Sequence, residues 1–198
     1  MNEPSSPSTF PPDLGDASSP GVRGEAVSLH ARLPMDWTDT ITPESALGDV
    51  MADNLTLLRA LLMLDEPAAS HESDQGRPDP IHNLERRIDL LLLMASTALR
   101  GMGTLPTERP CALASRKLCW ASDRSIGVGR RLWARLYLRH RVALPLILPG
   151  RIAEEHFDRG QFWHTLDIDA LDQPVQNDLD RLIFRHHRRQ VARQRKGH

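Results

Sequence analysis

The sequence predicts an α+β protein: a small antiparallel sheet or barrel carrying a C-terminal helix, preceded by long helices on its N-terminal side. Three observations carry that expectation. Apolar residues recur at helical spacing through 44–64 and 81–100, each segment bounded by start or stop residues. After residue 101 the apolar runs become short, rich in β-branched and aromatic residues, and separated by hairpin-length polar breaks. Residues 174–196 then return to helical spacing.

At 198 residues the chain accommodates one ordinary domain with attachments. Its 25 basic and 26 acidic residues leave a net charge of −1, so no global field points to nucleic acid or an anionic membrane as partner. No apolar run reaches the length of a membrane span, and MNEPSSPSTF has neither a basic nor an apolar region of the kind that directs export. A cytoplasmic protein is expected. Cys111 and Cys119 are expected on one strand, too poorly placed for a bridge.

Residues 1–35 read as a disordered tail, because Pro, Ser and Gly dominate and little apolar material offsets the entropy of ordering them. A helical oligomerisation region then spans 36–101. Thr42 as N-cap and Pro43 in the first turn open its first helix, 44–64, and Pro67 follows its end. Along that helix Leu47, Val50, Asn54, Leu57 and Leu61 keep a 3,4 spacing, with Asn54 as the polar position that sets register in a coiled coil. After the polar connector 66–80, the second helix repeats the spacing with Ile81, Leu84, Ile88, Leu91, Ala95 and Ala98, and Gly101 ends it. The two helices either pack on the chain's own sheet or pair between copies. A sheet of about 70 residues offers limited cover for two helices of about 30 Å, so self-association is expected, with Leu47–Leu61 and Ile81–Ala98 as the seams.

In 102–198, CALASRKLCW, RLWARLYL, VALPLILPGRI and GQFWHTLDI read as strands, with EEHFDRG as a polar break before the last. Pro145 and Pro149 point to an edge or a bulge. Trp120, Trp133 and Trp163 fall on three strands and are expected to form one aromatic core cluster. The final helix, about 174–196, packs through Leu179, Leu182, Ile183 and Phe184 and ends in a basic run from Arg185 to Lys196. That run fits a solvated helix end; a nucleic-acid patch is the other reading, disfavoured because no aromatic beyond Phe184 interleaves it.

No nucleophile elbow, glycine-rich phosphate loop or metalloprotease helix is present, so no enzyme is expected. Nor is a metal: His186 and His187 are adjacent, about 100° apart on a helix, and His156 and His164 have no cysteine nearby.

A helical lead-in followed by LASRKLCW, a hairpin into GRRLWARLYL, then VALPLILPGRI, FWHTLDI and DRLIFRHHRRQVARQR resembles the PilZ domain, in its helix-extended subgroup that assembles as tetramers. The resemblance covers about residues 80–196. It implies a six-stranded barrel with a C-terminal helix, a homotetramer, an unidentified protein partner, and a role in cyclic di-GMP-linked processes such as motility or virulence. It also implies where the nucleotide would sit: an RxxxR pair on a lead-in segment and a DxSxxG motif at the first strand and turn. Aligned on ALASRK, the Asp, Ser and Gly positions hold Ala112, Ala114 and Lys117; a shift by one recovers Ser115 but leaves Leu113 and Leu118 for Asp and Gly, so neither register keeps the motif, and GMGTLPTERP upstream offers only Arg109. Standard-mode binding of cyclic di-GMP is therefore not expected, and no cofactor is assigned. The leading expectation is a non-enzymatic regulatory or scaffold protein acting by protein contacts. The alternatives are a cyclic di-GMP receptor using Arg109, Arg116 and Lys117 in a nonstandard pocket, and a coiled-coil nucleic-acid binder using the basic terminal helix.

Overall fold

A computed structural model, which describes residues 27–39, 44–64, 88, 91, 95, 104–139, 142 and 144–196, places a strand where the sequence reads as the end of a tail. In β1 (Ser28–Thr38), buried Leu29, Ala31, Leu33 and Met35 alternate with less buried Ser28, His30 and Arg32. That alternation is the period of a half-buried strand. The tail to residue 35 and a helical region from residue 36 are thus corrected: the barrel's first strand precedes the helices. It is followed by α1 (Glu44–Leu64), β2 (Glu108–Ala114), β3 (Lys117–Ser122), β4 (Arg131–Leu136), β5 (Leu146–Asp158), β6 (Gln161–Ile168) and α2 (Gln173–Lys196).

The six strands close into an antiparallel barrel in the order β1-β2-β3-β6-β5-β4. CALASRKLCW is not one strand but a hairpin, turning at Ser115 and Arg116 and pairing Cys111 with Trp120, Ala112 with Cys119 and Leu113 with Leu118. The cysteines therefore lie on neighbouring strands and face opposite ways: Cys111 belongs to the interior, and Cys119 to a separate cluster with Ala112, Ala114, Ala121 and Trp163. Both are free thiols. Burial pushes Cys111 up to about 12 and Cys119 up to about 11.

Of EEHFDRG, residues 154–158 are strand and only Arg159 and Gly160 form the break. β5 runs through Asp158, and the turn into β6 uses Arg159 and Gly160, both in the left-handed region (φ 48° and 82°), as a two-residue hairpin requires. Pro149 sits opposite Trp133 in the part of β5, Leu146–Pro149, that pairs with β4 but not with β6, an edge position within the closed barrel as expected. Nor do the predicted tryptophans form one cluster. Trp120 packs on Trp37 and His164, with centroids 5.7 and 5.3 Å away, while Trp163 lies in the second cluster and Trp133 is half-buried.

One end of the barrel is covered by helices. Met51, Leu57, Leu58, Leu61 and Leu62 of α1 meet Val175, Leu179, Leu182 and Ile183 of α2 in the main core. Each such leucine contributes about 1.5–3 kcal/mol by leaving water. Arg185 donates to the Leu62 carbonyl at 2.9 Å, tying the two helices together. Asn54, 1% exposed, donates to the Ile147 carbonyl of β5 at 2.7 Å and accepts from the Ile147 N–H at 2.9 Å. The expected seam of the first helix is corrected accordingly. Asn54, Leu57 and Leu61 are buried against the chain's own barrel, Val50 packs partly on the same core, and Leu47 is exposed. In the second seam Ile81, Leu84 and Ala98 lie outside the described residues. Ile88, Leu91 and Ala95 are helical and exposed, the first two by 50% and 64%. Among the described residues no helix is long and apolar enough to cross a membrane.

Candidate functional site at the open end of the barrel

The end opposite the helices is polar. Strand alternation turns Arg109 inward across from Leu33, and Trp120 inward across from His164. Glu155 would face outward in a regular strand. A bulge between Ile152 and Glu154 adds one residue, Ala153, to β5 and brings Glu155 opposite His164 instead.

Glu155 then organises the β3–β4 loop. Its carboxylate accepts from Ser125 Oγ at 2.5 Å and from the N–H groups of Ile126 and Gly127 at 2.8 and 2.9 Å. Burial alone would raise its pKa, but these bonds and the nearby His164 hold it at about 2. Gly127 and Gly129 carry the loop through left-handed backbone, with φ of 95° and 85°.

His164 is fully buried, with Nδ1 3.0 Å from Glu155 Oε2 and Nε2 2.8 Å from Ser122 Oγ. Ser, His and Glu in this sequence of contacts match the connectivity of an acyl-transfer triad, but the hydroxyl is committed elsewhere. Ser122 Oγ donates to the Arg124 carbonyl at 2.6 Å, and the serine is 1% exposed. The network is a brace for the loop. Burial pushes the His164 pKa down against the pull of Glu155.

On this brace sits a cleft of about 380 Å³ lined by Trp37, Thr38, Asp39, Arg124, Ser125, Ile126 and Arg130. The guanidinium groups of Arg109 and Arg124 lie 5.3 and 5.6 Å from the Trp37 ring centre, within cation–π range. Arg130 pairs with Asp39, and Arg109 is 4.0 Å from Asp123. The arrangement offers planar cations at an open, polar rim, suited to an anion.

Of the residues singled out from sequence, only Arg109 is here. Arg116 and Lys117 lie at the other end of the β2–β3 hairpin, about 20 Å away by strand rise, so the nonstandard pocket of Arg109, Arg116 and Lys117 is not assembled. At that end Ser115 is clamped by α2: Gln176 Nε2 donates to its carbonyl at 3.1 Å and to its Oγ at 3.0 Å. Sequence reasoning missed Trp37, Arg124, Arg130, Glu155 and His164 as a group. The one local signal was the Gly127/Gly129 pair, which marks a turn but not what the turn presents.

This architecture is that of a known family. A family model described as atypical PilZ domain, cyclic di-GMP receptor, matches residues 58–196. No curated protein matches the chain. Among solved structures it is similar to a pathogenic protein from Xanthomonas campestris, described as a new tetrameric PilZ domain self-assembled via an unusual helical bundle. The TM-score is 0.71 at 25% identity, over 86% of this chain and 92% of that one. Since the family match runs from the second half of α1 through five of the six barrel strands to the end of α2, the chain belongs to the atypical PilZ family.

Proposed function

We propose that the protein is a non-enzymatic regulatory or scaffold protein of cyclic di-GMP-linked signalling, which assembles with copies of itself and acts through protein contacts without binding cyclic di-GMP in the standard mode. The observation that carries this reading is the β2–β3 hairpin. Where the family motif asks for a carboxylate and a hydroxyl stand Ala112 and Ala114, 1% and 0% exposed, and Lys117 takes the glycine position. A methyl group neither accepts from a guanine N–H nor donates to a phosphate. The arginine pair is missing as well. Among residues 1–27, ahead of β1, the one arginine is Arg23. Contacts of this kind are worth about 1–3 kcal/mol each, so losing three weakens binding by at least about a hundredfold.

Self-assembly is supported by the tetrameric relative and by Ile88 and Leu91, apolar and exposed on helical residues. Two free thiols support a reducing, cytoplasmic setting. Titration calorimetry of the full-length protein with cyclic di-GMP tests the first half of the reading: no saturable heat is expected, and micromolar binding that depends on Lys117 would overturn it. Light scattering tests the second half. A tetramer mass is expected, falling when Ile88→Asp and Leu91→Asp are combined; an unchanged mass removes the seam.

A further inference from the structure

We propose that the open end of the barrel is a binding site for a phosphate ester of about mononucleotide size, held by Arg124 with Arg130 at the rim and with Arg109 adding charge from beside Trp37. The site is remote from the β2–β3 turn and does not rest on the reading above.

Charge is the first argument. Asp39 neutralises Arg130, and Asp123, with a side chain 84% exposed, stands 4.0 Å from Arg109. Among the described residues Arg124 has no carboxylate partner; its guanidinium rests on Trp37 alone. The cleft therefore keeps an excess positive charge. The Arg109 Nε–H is buried with no acceptor, a state that folded proteins rarely tolerate without a reason.

Preorganisation is the second. Trp37 lies within cation–π range of both Arg109 and Arg124, and the loop bearing Arg124 is fastened at both shoulders. Ser122 Oγ bonds the Arg124 carbonyl at 2.6 Å, and Glu155 takes the bonds from Ser125, Ile126 and Gly127. Ordering that loop costs a ligand little, because it is already ordered.

Size and geometry select the ligand class. About 380 Å³ lies at the small end of ligand pockets, room for one nucleotide unit. A guanidinium fork binds phosphate oxygens bidentately, and a guanidinium plane also stacks on a nucleobase. A polar cleft with these groups takes a phosphate ester more readily than an apolar ligand.

The test uses the full-length protein with 5′-GMP, 5′-AMP, inorganic phosphate and cyclic di-GMP as probes, followed by calorimetry and by tryptophan fluorescence, to which Trp37 reports. Saturable, salt-sensitive binding of at least one ester at millimolar or lower concentration is expected. Arg124→Gln, on an exposed loop side chain, should weaken it about tenfold or more, whereas Arg116→Gln at the far end should leave it unchanged. Cyclic di-GMP binding that falls with Arg124→Gln supports the site and leaves the hairpin reading intact. Cyclic di-GMP binding that ignores Arg124→Gln but falls with Lys117→Gln overturns both. The proposal is also overturned if no ester binds, if Arg124→Gln has no effect, or if inorganic phosphate binds as tightly as the esters.

Discussion

Replacing Asn54 with leucine separates two accounts of the same residue. In a coiled-coil seam, Asn→Leu removes a polar group from an interface and leaves the fold of each copy intact or stabilised. In the structure Asn54 is instead a surrogate strand. β6 pairs with β5 only from Gly150 onward, so Ile147 has no strand on that side, and the Asn54 amide supplies both its partners. Asn54→Leu would bury the Ile147 N–H and carbonyl unsatisfied. At about 1–3 kcal/mol for each group, the loss is about 2–6 kcal/mol. With a urea slope of about 2 kcal/mol/M, that lowers the unfolding midpoint by about 1–3 M. The assay is urea unfolding followed by the fluorescence of buried Trp120, at two protein concentrations, with light scattering on the same samples. A midpoint that hardly moves while the oligomer dissociates would refute the reasoning and return Asn54 to an intermolecular seam.

Other perturbations bear on the barrel and its open end. An alanine Cβ at Gly150 would stand 2.3 Å from the Asp167 carbonyl oxygen and 2.9 Å from Leu166 Cγ. Since the nearer clash is with backbone in a closed sheet, Gly150→Ala should cost about 3 kcal/mol, read as a lower melting temperature; an unchanged melt would mean the strands part more easily than the pairing implies. The folded-state pKa of Glu155 lies near 2 against an ordinary 4.5, so its contribution is complete above pH 4.5 and is lost as pH falls toward 2. His164 is lowered from 6.5 by burial, so its contribution is complete above 6.5 and is lost as pH falls through its folded value. Stability should therefore decline on acidification from pH 6.5, and Glu155→Gln should flatten the part below 4.5; a variant as acid-sensitive as the wild type there would remove Glu155 as the brace.

The helices and the later strands were legible because their signals are local. Thr42 and Pro43 mark the start of α1, and the predicted 44–64 coincides with Glu44–Leu64. What periodicity supplies is the face that is buried, not the surface it is buried against. Leu57 and Leu61 satisfy a heptad as well on a barrel as on another helix. β1 was illegible for a different reason. SLHARLPMDWT follows a Pro- and Ser-rich stretch and carries Pro34, and its neighbour β2 begins at Glu108, so nothing nearby in sequence announces the pairing. The β2–β3 hairpin turns at Ser115 and Arg116, without the Asn-Gly or Gly-X signature of a two-residue turn. The open end depends on one inserted residue, Ala153, which decides whether Glu154 or Glu155 faces His164. A single-residue shift of that kind leaves composition and hydrophobic pattern unchanged, so the site could not be assembled before the register was known.

The same alternation bears on the proposed loss of the nucleotide motif. Along β2, Cys111 and Leu113 point into the main core while Ala112 and Ala114 point the other way; on β3, Leu118 and Trp120 point in and Cys119 and Ala121 out. The positions assigned to the ligand's Asp and Ser thus share no face with the residues that close the barrel. Nor are they vacant places awaiting the motif's side chains. Both alanines are buried in an apolar cluster with Cys119, Ala121 and Trp163. A carboxylate at Ala112 would enter that cluster with no cation in it, where an ionised group is strongly disfavoured unless paired. Placing Asp at Ala112 and Ser at Ala114 would therefore strain the outer face before it built a nucleotide site, because both positions are filled by packing.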